Sequence, residues 1–545
     1  MSKRKHPRQQ ASTGPQRKGV RSSTRRTGRT AERESGMPVA QRWDRTASWG
    51  RVISGLRSVP SRLRRVPMAA WLCALVACLN AISWSFITPP FQIPDEPAHF
   101  AYVEQLARTG HLPSSSTQEF APDELVALED LEAPRVAFQP EHRTIASRAQ
   151  QRKLEADVAS AVETSMPGSG AAGVAASQPP LYYALEAIPY DLGSGGGVLD
   201  QLALMRLVSA LWAGVTALFV FLFLREALPG TPRAWTVGGL GVAFLPALAS
   251  ISGAVNPESM LCAVSAAIFY CFARAFRRGL TPRLAMVIGA LTAVGFLTKL
   301  NFLGLAAGVV LGLVVLARRA SQTLGRRTAF RALASGLVIA ASPVCVYIFV
   351  NLLSHHRALG IGSSIAGLTA DHRSIVGGLS YIWQLYLPRL PGMHIDFADT
   401  SPIRDLWFNG LVGDYGFEDT YFPRWVDNVA LIPAIGILAL CGREVFVRRS
   451  ALRRRVSEFG VYFVMAAGLM TLIGVSSYLS FPSEAAGFPE PRYLLPLIPL
   501  FGAVLALATR GAGRRWGTTV GVLIVVLFID HDLFSQLQVI ARYYG

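Results

Sequence analysis

A chain of 545 residues that is 51% hydrophobic, with a mean hydropathy of +0.34, is too apolar for an ordinary soluble protein, and its apolar residues fall in runs of membrane-spanning length. The formal charge of +18 is equally uneven: residues 1–66 carry 18 Lys or Arg against 3 acids, ahead of the first apolar run. A basic tail in front of a membrane span has a topogenic reading and speaks against a nucleic-acid partner. The six cysteines all lie in or at the end of apolar runs and imply neither a disulfide framework nor a metal site.

Residues 1–66 are rich in Arg, Ser, Thr, Gly and Gln. They cannot bury enough surface to offset ordering entropy and are expected to form a disordered cytoplasmic tail. The first apolar run, Met68 to about Thr88, has no small-residue cleavage site before the Pro-rich turn that follows, so it reads as a span and not as a cleavable signal. Ten further runs follow, near 203–224, 234–251, 258–273, 284–298, 300–317, 331–351, 428–447, 459–480, 492–509 and 516–536.

Charge checks this count. The connections 225–233, 274–283, 318–331, 443–455 and 510–515 hold 20 Lys or Arg and only two acids, Glu226 and Glu444. The intervening long loops are acidic, with 16 acids against 6 basic residues in 89–200 and 8 against 5 in 352–427. By the positive-inside rule the amino terminus is cytoplasmic, the carboxyl terminus extracytoplasmic, and both long loops face outward. The expected fold is an all-α polytopic membrane protein of about eleven spans. Its transmembrane domain, 67–545, carries two large extracytoplasmic loops, 89–200 and 352–427.

The first loop opens with Pro89-Pro90-Phe91-Gln92-Ile93-Pro94-Asp95-Glu96-Pro97-Ala98-His99, whose four prolines predict a stiff irregular turn that holds Asp95 and Glu96 at the membrane surface. An alternative is that the two acids begin a helix running to Arg108, where they favour the positive end of the dipole. Helical stretches are expected from Asp123 to Arg152, a Gly, Ala and Ser-rich linker from Pro167 to Ser177, and an interfacial aromatic stretch at Gln178-Pro179-Pro180-Leu181-Tyr182-Tyr183.

Ionisable groups at span boundaries are costly and are functional candidates, although end positions can snorkel to water. Arg206, Asn256, Glu258, Lys299, Glu490 and Arg492 all fall on the outward side, beside Asp95. For any one cation, snorkelling or an ion pair is the simpler account. Arg206, Lys299 and Arg492 together beside an acidic pair favour a lipid-phosphate site. A carboxylate on a fixed turn can take a proton from an acceptor hydroxyl as it attacks an activated sugar carbon, while Lys or Arg stabilises the departing phosphate. Adjacent carboxylates that point apart do not suit a hydrolase, which needs them on opposite sides of the sugar.

The segments Pro94-Asp95-Glu96-Pro97-Ala98-His99-Phe100, Gln178-Pro179-Pro180-Leu181-Tyr182-Tyr183, Asn256-Pro257-Glu258, Thr298-Lys299 and Arg492-Tyr493-Leu494-Leu495-Pro496-Leu497 resemble, in this order, a bacterial membrane family catalogued as domain of unknown function 2142. That family is similar to the GT-C glycosyltransferases, which use polyprenyl-phosphate sugars. The resemblance covers about Met68 to the end and implies a bacterial plasma-membrane enzyme moving a sugar from a polyprenyl-phosphate carrier to a cell-envelope glycan or lipid acceptor.

It further implies Asp95 as general base, Glu96 as a supporting or metal-binding acid, and Lys299, Arg492 and Arg206 at the donor phosphate. His99, Gln178, Tyr182, Asn256 and Glu258 would line the substrate cleft. A divalent cation is left open. Gln178 stands where related members often carry His, which weakens a His-assisted metal site unless His99 replaces it. Tyr381 to Tyr386 and Trp407-Phe408 are expected either to stack on sugar or to lie on the membrane. A transporter or flippase of polyprenyl-linked glycans and a non-catalytic membrane scaffold are the alternatives. A flippase would depend on midmembrane polar residues, an enzyme on Asp95.

Overall fold

Runs of about twenty apolar residues can satisfy their backbone in a bilayer only as helices, and helices are what the chain forms. The computed structural model describes residues 66–113, 119–137, 139, 141–144, 147–164, 169–171, 175–355, 374–398, 400–417, 419–480 and 490–545. The basic tail expected over 1–66 lies, except for Val66, outside the described residues.

In chain order, α1 (Met68–Ile87) leads into α2 (Glu96–Thr109), then β1 (Glu119–Phe120), α3 (Pro122–Asp130), α4 (Ala133–Val136), α5 (Arg148–Thr164) and β2 (Ser169–Ala171). Next come α6 (Leu181–Leu192), α7 (Val198–Ala227), α8 (Pro232–Ala243), α9 (Pro246–Ser252), α10 (Pro257–Arg278) and α11 (Pro282–Thr298). A 3₁₀ turn (Leu300–Phe302) opens α12 (Leu303–Leu324), followed by α13 (Arg326–His355) and α14 (Ile375–Tyr386). A π-turn (Ile403–Phe408), α15 (Asn409–Gly413) and the short strands β3 (Asp414–Tyr415) and β4 (Thr420–Tyr421) complete the second loop. The last elements are α16 (Arg424–Val447), α17 (Arg449–Arg453), α18 (Val456–Ser480), a 3₁₀ segment (Pro491–Leu497), α19 (Ile498–Gly511) and α20 (Gly513–Tyr544).

Among the described residues nine helices are long and apolar enough to cross a membrane, and the pair α8 and α9, bent by 54° where Pro246 restarts the helix, makes a tenth. The 17-residue apolar helix α11 occupies the remaining expected place. The protein is an all-α polytopic membrane protein. Helix starts follow the sequence chemistry: Asn256 caps α10 by accepting from the Glu258 amide, with Pro257 in the first turn, and Thr281 caps α11 in the same way.

Both long loops and the end of α20 share one side. Arg542 near the carboxyl terminus donates to the carbonyls of Val136 (3.0 Å) and Gln139 (2.9 Å) and pairs with Asp419 (2.9 Å). The short strands pair β1 with β2 and β3 with β4, both antiparallel. Within the expected linker, Ser169–Ala171 is therefore paired extended chain. A second correction concerns the turn after α1: regular helix begins at Glu96 and admits Pro97 in its first turn, where no N–H partner is needed. The irregular stretch is confined to residues 88–95.

Close packing between spans rests on small residues, as membrane helices require. Gly304, Gly308 and Gly312 form one stripe of α12, and at the first two its backbone lies directly against Leu469 and Met465 of α18. A Cβ at Gly308 would sit 2.7 Å from the Met465 backbone nitrogen, a contact that backbone movement alone can relieve. Gly308→Val is expected to lower stability by roughly 1–3 kcal/mol or more through overpacking. Thermal unfolding of purified protein in detergent checks this, and an unchanged midpoint would contradict the packing.

Candidate functional site

The turn leaving α1 is strained: Phe91 and Asp95 both adopt left-handed backbone conformations, φ 63° and 65°. Glu96 holds it. One carboxylate oxygen, Oε1, accepts from Arg206 Nε (2.8 Å) and the Val255 amide (3.1 Å), and Oε2 accepts from Arg206 Nη2 (2.5 Å) and the Phe91 amide (3.1 Å). The remaining Arg206 hydrogens go to the carbonyls of Ser85 (3.2 Å), Thr88 (2.9 Å) and Pro89 (2.9 Å). Both side chains are buried, and all five guanidinium N–H groups have acceptors. Adjacent Asp95 points elsewhere, because the left-handed residue turns its side chain out of the helix start.

Asp95 Oδ2 accepts from Arg492 Nη2 at 2.6 Å, and its side chain remains about one third exposed (32%). Arg492 also donates to the Pro94 carbonyl (3.1 Å) and to Glu490 Oε1 (2.6 Å), and its Nε is paired with Glu490 Oε2. Glu258 Oε2 lies 3.5 Å from Arg492 Nε, while its other oxygen pairs with Lys299 Nζ at 2.6 Å. Lys299 and Arg492 both lie near the Tyr493 ring, 5.5 and 5.6 Å from its centroid. Asp95, Arg492, Glu490, Glu258 and Lys299 thus form one chain of charges at the loop end of α10, α11 and the Pro491–Leu497 segment. A shallow cleft lined by Pro94, Ser250, Asp414, Gly416, Glu490 and Arg492 reaches it.

The expected site residues divide accordingly. Asp95, Lys299, Arg492 and Glu258 come together; Glu96 and Arg206 form a separate buried pair. His99 is buried, with Nδ1 at 2.9 Å from Tyr183 Oη and Nε2 without a hydrogen-bond partner among the described residues. Asn256 Nδ2 is likewise buried and has no hydrogen-bond partner among the described residues. The Gln178 side-chain oxygen accepts from the Leu300 amide (3.4 Å), beside Lys299. Tyr182 turns away, bonding Ser209 Oγ (2.7 Å), which donates to Glu186 Oε1 (2.9 Å). The neighbour Tyr183, stacked on Tyr102 at 3.7 Å, reaches toward the site instead, through His99.

Glu490 and Tyr183 are what the sequence reading left without a role. Glu490 stood at a span boundary and Tyr183 beside Tyr182 in the aromatic stretch, but the contacts of neither could be read from the chain. In the second loop, Tyr386 and Trp407 stack on each other at 5.1 Å, and the Trp407 indole donates to the Leu385 carbonyl (2.7 Å). These two rings are engaged with one another.

Electrostatics sharpen the contrast between groups. Burial pushes the Asp95 carboxyl up, but Arg492 above all, with Lys299, outweighs it and holds it below the ordinary carboxylate value. Burial drives the His99 imidazole down to about 3, against the pull of Asp95, and Lys299 and Arg492 add to the fall. Asp95 is therefore ionised and His99 neutral at physiological pH. Glu186, pushed up to about 8 by burial, is protonated there. Both Glu96 oxygens are saturated, and no group of three or more possible metal ligands occurs among the described residues.

A family model described as "Predicted membrane protein (DUF2142)" matches residues 78–501. The chain belongs to this family. The matched range contains every charged residue of the cluster. Among solved structures this family member is similar to the Archaeoglobus fulgidus oligosaccharyltransferase in its apo form, at 11% identity and a TM-score of 0.44 over 87% of this chain and 56% of the other. The same enzyme in complex with zinc and sulfate gives 12% identity and a TM-score of 0.42, over 87% and 53%. The chain spans about half the length of that enzyme. No curated protein matches it.

Removing one partner of the buried pair leaves an uncompensated charge, so Arg206→Met is expected to cost roughly 3–5 kcal/mol, and the double change Glu96→Leu with Arg206→Met appreciably less. Chemical unfolding of the two variants in detergent distinguishes them; equal losses would contradict the pairing. For His99 the folded value lies below the ordinary 6.5, so its contribution is full above pH 6.5 and is lost as pH falls toward 3. The stability difference between wild type and His99→Gln is expected to shrink by about 1.4 kcal/mol per pH unit below that point. A pH-independent difference would show that His99 is not buried neutral.

Proposed function

We propose that this family member is an extracytoplasmic-face, GT-C-like glycosyltransferase that moves a sugar from a polyprenyl-phosphate donor to a cell-envelope acceptor, with Asp95 as general base. The observation that carries this reading is the partly exposed Asp95 carboxylate, fixed on a strained turn and held at 2.6 Å from Arg492, with Lys299 next along the same charge chain. The acceptor hydroxyl oxygen forms the new bond to the anomeric carbon as the bond from that carbon to the phosphate oxygen breaks. The hydroxyl proton passes to Asp95, the phosphate leaves on its lipid carrier, and the anomeric centre inverts.

Arg492 and Lys299 stabilise the departing charge. In the resting arrangement both already have carboxylate partners, so a phosphate must compete with them. When Arg492 turns toward phosphate it withdraws a cation from Asp95, which raises the basicity of that carboxylate at the moment the acceptor needs it. Donor binding thereby arms the base. Arg206, with no free N–H, supports the turn and takes no part in phosphate binding, and Glu96 is its structural partner. The protein works in the bacterial plasma membrane, with the tail of residues 1–66 cytoplasmic and the catalytic unit, 67–545, presenting its loops outward.

The test is transfer by purified protein in lipid vesicles with radiolabelled polyprenyl-phosphate sugars and envelope-glycan acceptors. Asp95→Asn is expected to lower turnover by on the order of 10²–10⁴ with donor binding retained. Lys299→Ala should weaken donor binding by roughly ten- to a hundredfold. Full turnover in Asp95→Asn would overturn the assignment of the base, and flux of the lipid-linked donor across the vesicle bilayer without transfer would favour a flippase.

A further inference from the structure

A second cavity lies outside the charge cluster. It has a volume of about 440 Å³ and is floored by Phe501 and Leu505 of α19, with α16 on one wall and α20 on the other. Both wall helices pack on α19. The lining residues of α16 (426–438) run from its loop end to just past its middle, those of α20 (527–534) lie around its middle and on its loop side, and Phe408, Leu411, Val412 and Phe422 of the second loop roof the cavity. Its sides are open: Val429 and Phe534 are about half exposed, at 53% and 51%. α16 is among the least enclosed of the spans, with 6% of its apolar window buried by protein. An apolar slot on such a surface is at hydrocarbon depth, where water cannot fill it and a lipid chain can.

We infer that this slot binds the hydrocarbon chain of one outward-leaflet lipid whose headgroup donates hydrogen bonds, through hydroxyl or ammonium groups, to Asp530. Size supports a dedicated site, since 440 Å³ falls within the range of small-molecule pockets. Charge sets the headgroup. The ionisable residues lining the slot are Asp530, which is exposed, and His531, which is engaged with the Val412 carbonyl; no lysine or arginine lines it. A phosphate-only headgroup would meet a carboxylate there, whereas an amine or hydroxyl meets an acceptor.

Continuity with the charge cluster gives the slot its purpose. Leu411 and Val412 face the slot, while Gly410, Asp414 and Gly416 of the same short segment line the cleft at Arg492. A lipid held in the slot therefore carries its headgroup toward that cleft from the side of α16 and α20, away from Lys299, which follows α11. On the function proposed above this lipid is the acceptor; that last step rests on the proposed function, whereas occupancy of the slot does not.

The experiment uses the full chain in vesicles containing a phosphatidylethanolamine with a photoactivatable diazirine in its acyl chain, and maps the adducts by mass spectrometry. Adducts are expected to concentrate at Val429, Phe534 and their neighbours over Val346 and Phe349 of α13, which are also exposed. Ala434→Trp, which fills the slot, should lower slot adducts roughly tenfold, equivalent to about 1.4 kcal/mol of binding, and leave those on α13 unchanged. Unlabelled phosphatidylethanolamine should compete in the wild-type protein. A phosphatidic acid carrying the same chain should label the slot less, and Asp530→Lys should reverse that order. Equal labelling of slot and α13, or labelling that no unlabelled lipid competes, would mean ordinary boundary lipid and overturn the site. A headgroup preference unmoved by Asp530→Lys would overturn the role of the acid. No readout here uses transfer activity, so a failed transferase assignment would leave this result standing.

Discussion

The buried Glu96–Arg206 pair is the constraint on which the rest of the site depends. Burying two charges costs several kcal/mol each, and the cost is met only where every lone pair and hydrogen finds a partner. Here the complement is complete: two amides and a guanidinium on the carboxylate, three carbonyls and the carboxylate on the guanidinium. These partners come from α1, the turn after it, α2, α7 and the connection between α9 and α10. One ion pair thus fixes the exit of the first span against two others and stabilises the left-handed residues that aim Asp95 outward.

The second network has the opposite character. Three carboxylates, Asp95, Glu258 and Glu490, share two cations, Arg492 and Lys299, so no cation is idle and one acid is in excess. Such an arrangement can exchange partners more readily than the saturated pair, because a cation that leaves one carboxylate meets another of similar charge. The neutral, buried His99 and the Tyr183–Tyr102 stack behind it give the cluster a dry wall, which strengthens every interaction within it.

Much of the scaffold could be read from the chain because hydropathy and charge are local signals. The runs at 203–224 and 258–273 became α7 and α10, and Asn256-Pro257 starts α10 as its cap chemistry dictates. The run at 234–251 was legible as one span, but its 54° bend was not, although Pro246 carried the signal. The Gly, Ala and Ser-rich segment read as a linker because composition says nothing of the β1 strand that pairs with Ser169–Ala171. Tyr182 and Tyr183 were indistinguishable by sequence; one helical step of about 100° sends the first to Ser209 and the second to His99.

The sequence by itself determined that this is a membrane protein of about eleven apolar segments, and that the acidic turn, Lys299 and Arg492 fall at span boundaries, since span length and flanking charge are properties of contiguous residues. Only the tertiary structure decided which cation meets which acid. Arg206 and Glu96 are 110 residues apart and Arg492 and Asp95 are 397 apart, distances along the chain at which no periodicity or spacing carries information. The two adjacent acids look alike in sequence. They differ because burial in a folded interior makes one a saturated structural partner and leaves the other partly exposed and ionised.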